Sequence, residues 1–260
     1  MSKFDAADIA RLERMYASAP IAEQRARTRA ALALRAGEHG LEVGCGIGLL
    51  ACEMASEVGP SGRITGIDNS PDLIAAASAR AEQNHLGDRV RFVVGDAARL
   101  DCPAGALDFV VAVQVYLYVR EIEDALAEAA RVLRPGGRLV IVDTDWDSCV
   151  WLTGDRERHR HVLEARMREL AQPHLPPVLP TLLRRAGLKL VSIEVHPVLN
   201  LRYDYESFSG GLIEATPRIV TRFGIDPAEA EAWVNDLKSR TAEGDYFFSL
   251  NRYLFLAHKL

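Results

Sequence analysis

The sequence predicts an α/β fold built on a largely parallel sheet, and three features carry that expectation. After Gly37, brief apolar runs alternate with longer helical stretches, as they do where parallel strands are joined by helical crossovers. A glycine-rich turn, Gly44-Cys45-Gly46-Ile47-Gly48, stands where the first apolar run hands over to a helix. A second turn, Arg134-Pro135-Gly136-Gly137, stops a helix and opens a strand.

Ahead of the sheet, residues 5–34 place apolar side chains at three- and four-residue steps among Ala, Arg and Glu, which predicts two short helices parted at Pro20. Strands are expected near 39–44, 63–67, 90–94, 107–113 and 137–142, with helices at about 47–58, 71–84 and 121–133 between them. The second of these helices opens with Ser70-Pro71-Asp72, a cap followed by proline at the first helical position. Past Asp147 the pattern predicts a basic, His-containing helix at 155–171, a proline-rich segment at 173–180, a short helix to Ala186 and a strand near 188–197. Residues 204–240 read as helical with breaks at Pro217 and Pro227, before an aromatic strand near 246–258. The whole, 1–260, is expected to be one domain with a helical insertion between its last two strands.

The 260 residues, 48% of them hydrophobic, are enough to close a sizeable core and exclude a disordered or fibrous chain. Acids outnumber bases, 36 to 31, and the basic residues are interspersed with them, so nucleic acid is not the expected partner. Cys45, Cys52, Cys102 and Cys149 form no C-x-x-C pair and are read as reduced thiols. The N-terminal stretch, residues 1–8, mixes charges where an export signal would need an apolar core. The most apolar segment, 107–119, carries Asp108 and Gln114 and is shorter than the roughly 20 residues that span a bilayer. A soluble, cytoplasmic protein without a membrane partner is expected.

The sharpest signal is Glu42-Val43-Gly44-Cys45-Gly46-Ile47-Gly48. A dinucleotide fingerprint G-x-G-x-x-G would need glycine at position 49, which is Leu49, and an apolar residue where Glu42 stands. Asp68, in Gly66-Ile67-Asp68-Asn69-Ser70, follows some twenty residues later at the end of the next strand; it suits a vicinal diol and equally suits a helix cap. Asp96, in Val93-Val94-Gly95-Asp96-Ala97, closes the third strand in the same register.

These motifs resemble the class I S-adenosylmethionine-dependent methyltransferases, over about residues 35–145, and most closely the small-molecule branch typified by ubiquinone and menaquinone methyltransferases. The resemblance implies a Rossmann-like, doubly wound, seven-stranded, mostly parallel sheet with an antiparallel last strand and a helical cap insertion. It implies S-adenosylmethionine as cofactor, with Gly44, Gly46 and Gly48 forming the cradle and Glu42 holding the ammonium side, where a carboxylate would repel a pyrophosphate. Asp68, with Asn69 beside it, would take the ribose, Asp96 and Ala97 the adenine, and Gln114 the methionine moiety. Tyr16 and Arg25 lie on helices, within 1–36, that would fold over the cofactor; Arg25 could pair with its carboxylate. Residues 37–147 would be the cofactor core and 148–260 the substrate side.

The place after strand four reads Gln114-Val115-Tyr116-Leu117 and lacks the Asn/Asp-Pro-Pro-aromatic motif, which argues against methylation of nucleic acid or glutamine amides. Asp143, Asp145 and Asp147 cluster only after strand five, so no metal is expected. Positioning can supply much of the rate of an in-line methyl displacement, and a general base helps only an acceptor that keeps its proton. Candidate bases are Asp145, His159, His161 and His196. Tyr116 and Trp146 are expected in the wall of a pocket for a small, apolar or aromatic acceptor. The expected activity is methyl transfer to oxygen, nitrogen or carbon of a small metabolite; the competing readings are a nicotinamide-dependent oxidoreductase and a cofactor-binding module that does not turn over.

Overall fold

The computed structural model describes residues 4–260, and part of the N-terminal stretch read for an export signal lies outside them. Two helices come first, α1 (Ala6–Ala17) and α2 (Ala19–Leu32). A reciprocal cap starts α1: the Asp8 N–H donates to the Asp5 carboxylate at 2.9 Å and the Asp5 N–H to Asp8 at 3.4 Å. Pro20 sits in the first turn of α2, where its missing N–H breaks no bond.

The sheet follows as β1 (His39–Val43), α3 (Leu49–Glu57), β2 (Arg63–Asp68), α4 (Pro71–Gln83), β3 (Val90–Val94), β4 (Leu107–Val113), a 3₁₀ turn at Tyr116–Tyr118, α5 (Ile122–Val132) and β5 (Leu133–Trp151). The remainder is α6 (Arg156–Met167), α7 (Leu175–Arg185), β6 (Leu188–Asn200), α8 (Phe208–Thr221), α9 (Pro227–Glu243) and β7 (Phe248–Lys259). The seven strands lie in the order β3-β2-β1-β4-β5-β7-β6. Neighbours from β3 to β5 are parallel, and β7 runs antiparallel to both β5 and β6. The expected doubly wound sheet with its antiparallel last strand is therefore present. The order reverses between β1 and β4, which opens a crevice at their carboxyl ends.

Several elements depart from the expectation for local reasons. β5 starts at Leu133 and runs to Trp151, because the Arg134–Gly137 turn is a register shift between Leu133 and Arg138 and not a clean strand start. The proline-rich segment is no linker: Pro176 and Pro177 open α7, where orphan N–H groups tolerate proline, and Pro180 lies inside it. Pro217 likewise lies within α8 and does not break it, whereas Pro227 does begin a new helix. The basic helix α6 stops at Met167, short of residue 171.

Apolar side chains divide into three clusters. One joins α5 and α7 to one face of the sheet, and another joins α2, α3 and α4 to the opposite face. The third is built by α6, α8 and α9 against the far ends of β5, β6 and β7, which outrun the parallel strands and carry a helical cap. Among the described residues no helix is long and apolar enough to cross a membrane.

Close packing of sheet and helices sets tight limits. A Cβ at Gly40 would lie 2.1 Å from the fully buried Phe109 ring, which has no free direction to move. Gly40→Ala is expected to destabilise the fold by about 2–4 kcal/mol, read by urea denaturation; an unchanged midpoint would show that the ring yields.

Candidate active site

The β1–α3 turn is made of three glycines in the left-handed region, at φ 68° for Gly44, 52° for Gly46 and 78° for Gly48. Their surroundings differ. A Cβ on Gly44 would meet Val115 at 2.2 Å, and one on Gly48 would meet Phe92 at 2.7 Å and Ala77 at 2.8 Å, so both glycines permit close packing. A Cβ on Gly46 would meet nothing within 4 Å. Gly46 therefore presents bare backbone to open space, as a ligand cradle does.

Two carboxylates flank that backbone. Asp68 ends β2, and its Oδ2 accepts the Gly46 N–H at 3.0 Å while Oδ1 accepts the Ser70 N–H at 2.9 Å. The helix cap itself is Ser70, which frees Asp68 for the turn. Glu42 is buried, and its Oε2 has no hydrogen-bond partner. Burial holds its carboxyl well above the usual carboxylate range; the Ala51 N–H pulls it down, while Glu53 and Asp68 add to the rise.

At the end of β3, Asp96 accepts the Ala98 N–H at 2.9 Å, a local turn that leaves Asp96 exposed and Ala97 half-buried beside it. Asn69 is also exposed. Gln114 follows β4 with φ 58°, a strained value for a residue with a side chain. Its N–H donates to Val142 O at 2.7 Å, and its Oε1 accepts the Thr144 hydroxyl at 2.7 Å, so β5 fixes the rotamer.

Over this edge lie the N-terminal helices. The Tyr16 phenol is raised to about 12 by burial, with Tyr118, Asp68 and Glu42 adding to the rise and Arg252 opposing it. Tyr16 thus stands among the cradle acids. Arg25 donates to Tyr16 O at 2.6 Å and to Glu53 at 3.0 Å, so its guanidinium ties α1 to α3.

The candidate bases disperse. The His159 ring accepts the Trp233 indole N–H at 3.0 Å, and His161 pairs with Glu229 at 2.8 Å; both partners lie on α9. His196 is buried on β6 beside Arg252 in register, 3.5 Å from Glu194. Asp145 groups with Asp147 and His174 so that their ligand atoms all fall within 4.8 Å of one another. The His174 Nδ1 lies 3.6 Å from the Asp145 carboxylate and 3.1 Å from that of Asp147.

Tyr116 is not pocket wall: it is 0% exposed and belongs to the α5–α7 core. Two residues on in a 3₁₀ turn point to the other side, and there Tyr118 is 57% exposed. Its phenol is nonetheless raised, by burial first, with Arg166, Glu169, Asp143 and Arg252 all acting on it. Trp146 is half-buried against the α6–α8–α9 cluster, with the Arg166 guanidinium 5.4 Å over its ring.

Three buried groups here lie outside the residues the sequence marks for the site. Asp143 on β5 is fully buried and neither oxygen has a hydrogen-bond partner; burial holds it well above the usual range, against Arg252 and the N–H groups of residues 115–117 directed toward it. Arg252 on β7 is 4% exposed, and burial draws its guanidinium down to about 10. Gln24 on α2 accepts from Arg252 at 2.5 Å. Each lies within an ordinary amphipathic or alternating pattern, and only the fold sets Arg252 opposite Thr144 in register and against Gln24 of α2.

Known proteins agree with this geometry. Residues 41–141 match the family described as a methyltransferase domain. An uncharacterized 37.1 kDa protein in transposon Tn4556 of Streptomyces fradiae is 32% identical over 87% of the chain and 64% of its own length. The ubiquinone/menaquinone biosynthesis C-methyltransferase of Paracoccus denitrificans is 38% identical over 43% of the chain and 44% of its own length. The chain thus spans less than two thirds of either relative. The YcgJ protein of Bacillus subtilis, 18% identical, shares the fold, with a TM-score of 0.64 over 92% of this chain and 98% of that one. Over residues 41–141 the chain is therefore similar to a methyltransferase domain.

Proposed function

We propose that the chain binds S-adenosylmethionine in the Gly46 cradle and transfers its methyl group to a small organic acceptor. The observation that carries this reading is the left-handed Gly46 backbone, open to space and flanked by Asp68 and the unpartnered Glu42 oxygen. Residues 37–147 supply the cofactor side, with the helices of 1–36 over the cofactor, and residues 148–260 supply the acceptor side. A cytoplasmic enzyme fits this reading.

In the proposed site Asp68 offers acceptor oxygens to a diol, Glu42 offers a carboxylate to a cationic amine, and Gln114 is held rigid toward the reacting centre by Val142 and Thr144. Bound, the cofactor supplies an electrophilic methyl on a sulfonium. The phenols nearest the cradle, Tyr16 and Tyr118, keep their protons at neutral pH, and His159 and His161 are engaged by α9. This arrangement favours catalysis by positioning of an acceptor that is already nucleophilic.

Calorimetry with S-adenosylmethionine and S-adenosylhomocysteine tests the reading, and absence of binding to the folded chain would end it. Asp68→Ala is expected to weaken binding by about tenfold or more, since a charged acceptor contributes about 1.5–3 kcal/mol. The glycines should separate: Gly46→Ala costs only about 1–2 kcal/mol of stability, the price of a left-handed alanine, yet abolishes most of the affinity, whereas Gly48→Ala chiefly unfolds the chain. Equal effects of the two on denaturation midpoint would contradict the assignment of Gly46 to a ligand.

Glu42 also sets a pH dependence. Its folded-state pKa is raised, so the folded chain keeps a proton that the unfolded chain releases above the ordinary value of 4.5. Its contribution to stability is therefore greatest at low pH and declines as pH climbs through the raised pKa. Glu42→Gln cannot ionise, and the Tm of the ligand-free variant should exceed that of the wild type by a margin that grows from about pH 5 to about pH 8. A margin independent of pH would show that Glu42 titrates normally.

A further inference from the structure

α4 meets the glycine turn at two positions one helical turn apart. A Cβ on Gly48 would lie 2.8 Å from that of Ala77, and three residues on, the Arg80 Nε donates to the Ile47 carbonyl at 2.9 Å. That carbonyl shares a peptide plane with the Gly48 N–H, which donates to Cys45 O at 2.9 Å. The Ile47–Gly48 peptide is thus held at both edges, its N–H from within the turn and its carbonyl by Arg80 from outside it. Ile47 stands between two left-handed glycines, where the backbone itself offers least resistance to rotation, so an outside hold matters most at this peptide.

The same guanidinium reaches a second element. From Nη2 it donates to the Glu13 carboxylate of α1 at 2.8 Å, one helical turn before Tyr16. α1 is lightly held: none of its residues is buried, and Met15 and Tyr16 pack only on the edge of the α6–α8–α9 cluster. Its other ties are polar. Ahead of it the Phe4 N–H donates to Asp72 of α4 at 3.1 Å, Arg25 of α2 donates to Tyr16 O at 2.6 Å, and Arg218 of α8 stands 3.9 Å from Asp8. With Asp72 and Arg80 both on α4, the N-terminal segment lies along that helix. An element fastened mainly by polar contacts belongs to the low end of local stability, so each tie counts.

We propose that Arg80 is a positioning residue for the cofactor: it fixes the Ile47–Gly48 peptide of the cradle and, through Glu13, fastens α1 beside the turn, so that one side chain sets both the shape of the cradle and the closing of α1. The role rests on the Gly46 turn being the S-adenosylmethionine site, as read above. Arginine suits it because Nε and Nη2 are neighbouring donors in one rigid plane, and the direction of the first bond fixes that of the second. Lysine keeps the charge for Glu13 on a flexible stem and loses the fixed pair of donors. The coupling runs both ways. A ligand that steadies the turn steadies the guanidinium and with it α1, and a fastened α1 slows the ligand's escape.

The test uses the full chain and S-adenosylhomocysteine, with calorimetry, stopped-flow dissociation and hydrogen exchange of the α1 amides read by mass spectrometry. In the wild type the ligand is expected to slow α1 exchange by about tenfold. Arg80→Met is expected to weaken binding about tenfold, mostly through faster dissociation, and to abolish the slowing of α1. Glu13→Gln leaves the Ile47 bond in place and should cost only about two- to fivefold in affinity while still loosening α1. Arg80→Lys should restore part of the α1 slowing but not the affinity, and Glu13→Gln should add nothing further in the Arg80→Met background. If Arg80→Met does not fold, Arg80→Lys and Glu13→Gln supply the reading. Wild-type affinity and dissociation in Arg80→Met would overturn the proposal and leave the cradle reading in place. So would additive effects of the two substitutions, or a variant with a lowered urea midpoint in which the ligand still slows α1, since either would make the contacts merely structural. Failure of the wild type to bind S-adenosylhomocysteine would remove both.

Discussion

The site depends on how closely the turn after β1 can approach its neighbours. Gly44 lies against Val115 and Gly48 against Ala77 and Phe92, at distances no side chain could share. That double contact pins the turn between the end of β4 on one side and the α4–β3 layer on the other. With both flanks fixed, the middle glycine is held away from everything, and the bare backbone it shows is a consequence of packing at the outer two. Asp68 then completes the turn through the Gly46 N–H, so the same carboxylate that shapes the loop stands ready at its rim.

The second half of the chain solves a different problem. Parallel strands of five to seven residues give a crevice but no roof. β5, β6 and β7 run on for 19, 13 and 12 residues, and α6, α8 and α9 close a separate apolar cluster on their far ends. Within it Arg252 packs against Gln24 and the Phe208 ring, and Arg166 against Thr216 and the Trp146 ring.

Much of the cofactor half is legible in the sequence because its signals are local. The Glu42–Gly48 spacing, Asp68 and Asp96 each close a strand whose apolar run announces it, and Ser70-Pro71 announces the helix between. The acceptor half is less legible. Prolines suggested breaks at 173–180 and 217, yet helix starts and packed helices absorb them, since only an interior N–H is missed. Tyr116 and Tyr118 look alike in sequence, and only a three-residue turn decides which one enters the core. Arg252 could not have been singled out: in an alternating strand it reads as a solvated residue, and its burial depends on α2 and α8 arriving from more than 30 residues away on the chain.

The placement of β7 between β5 and β6 bears on how the molecule assembles. β6 has no other strand partner, and Val140 pairs with Leu256, so joining them closes a loop of roughly a hundred residues, at an entropic cost of about 4 kcal/mol before any contact repays it. The glycine-turn half, whose strands meet across short crossovers, is free to order early. The roof must wait for β7, and until then one edge of β5 presents unpaired amides to other chains. Folding would then proceed in two stages, the glycine-turn half early and the β6–β7 half late, with the interval between them the period of greatest exposure to aggregation.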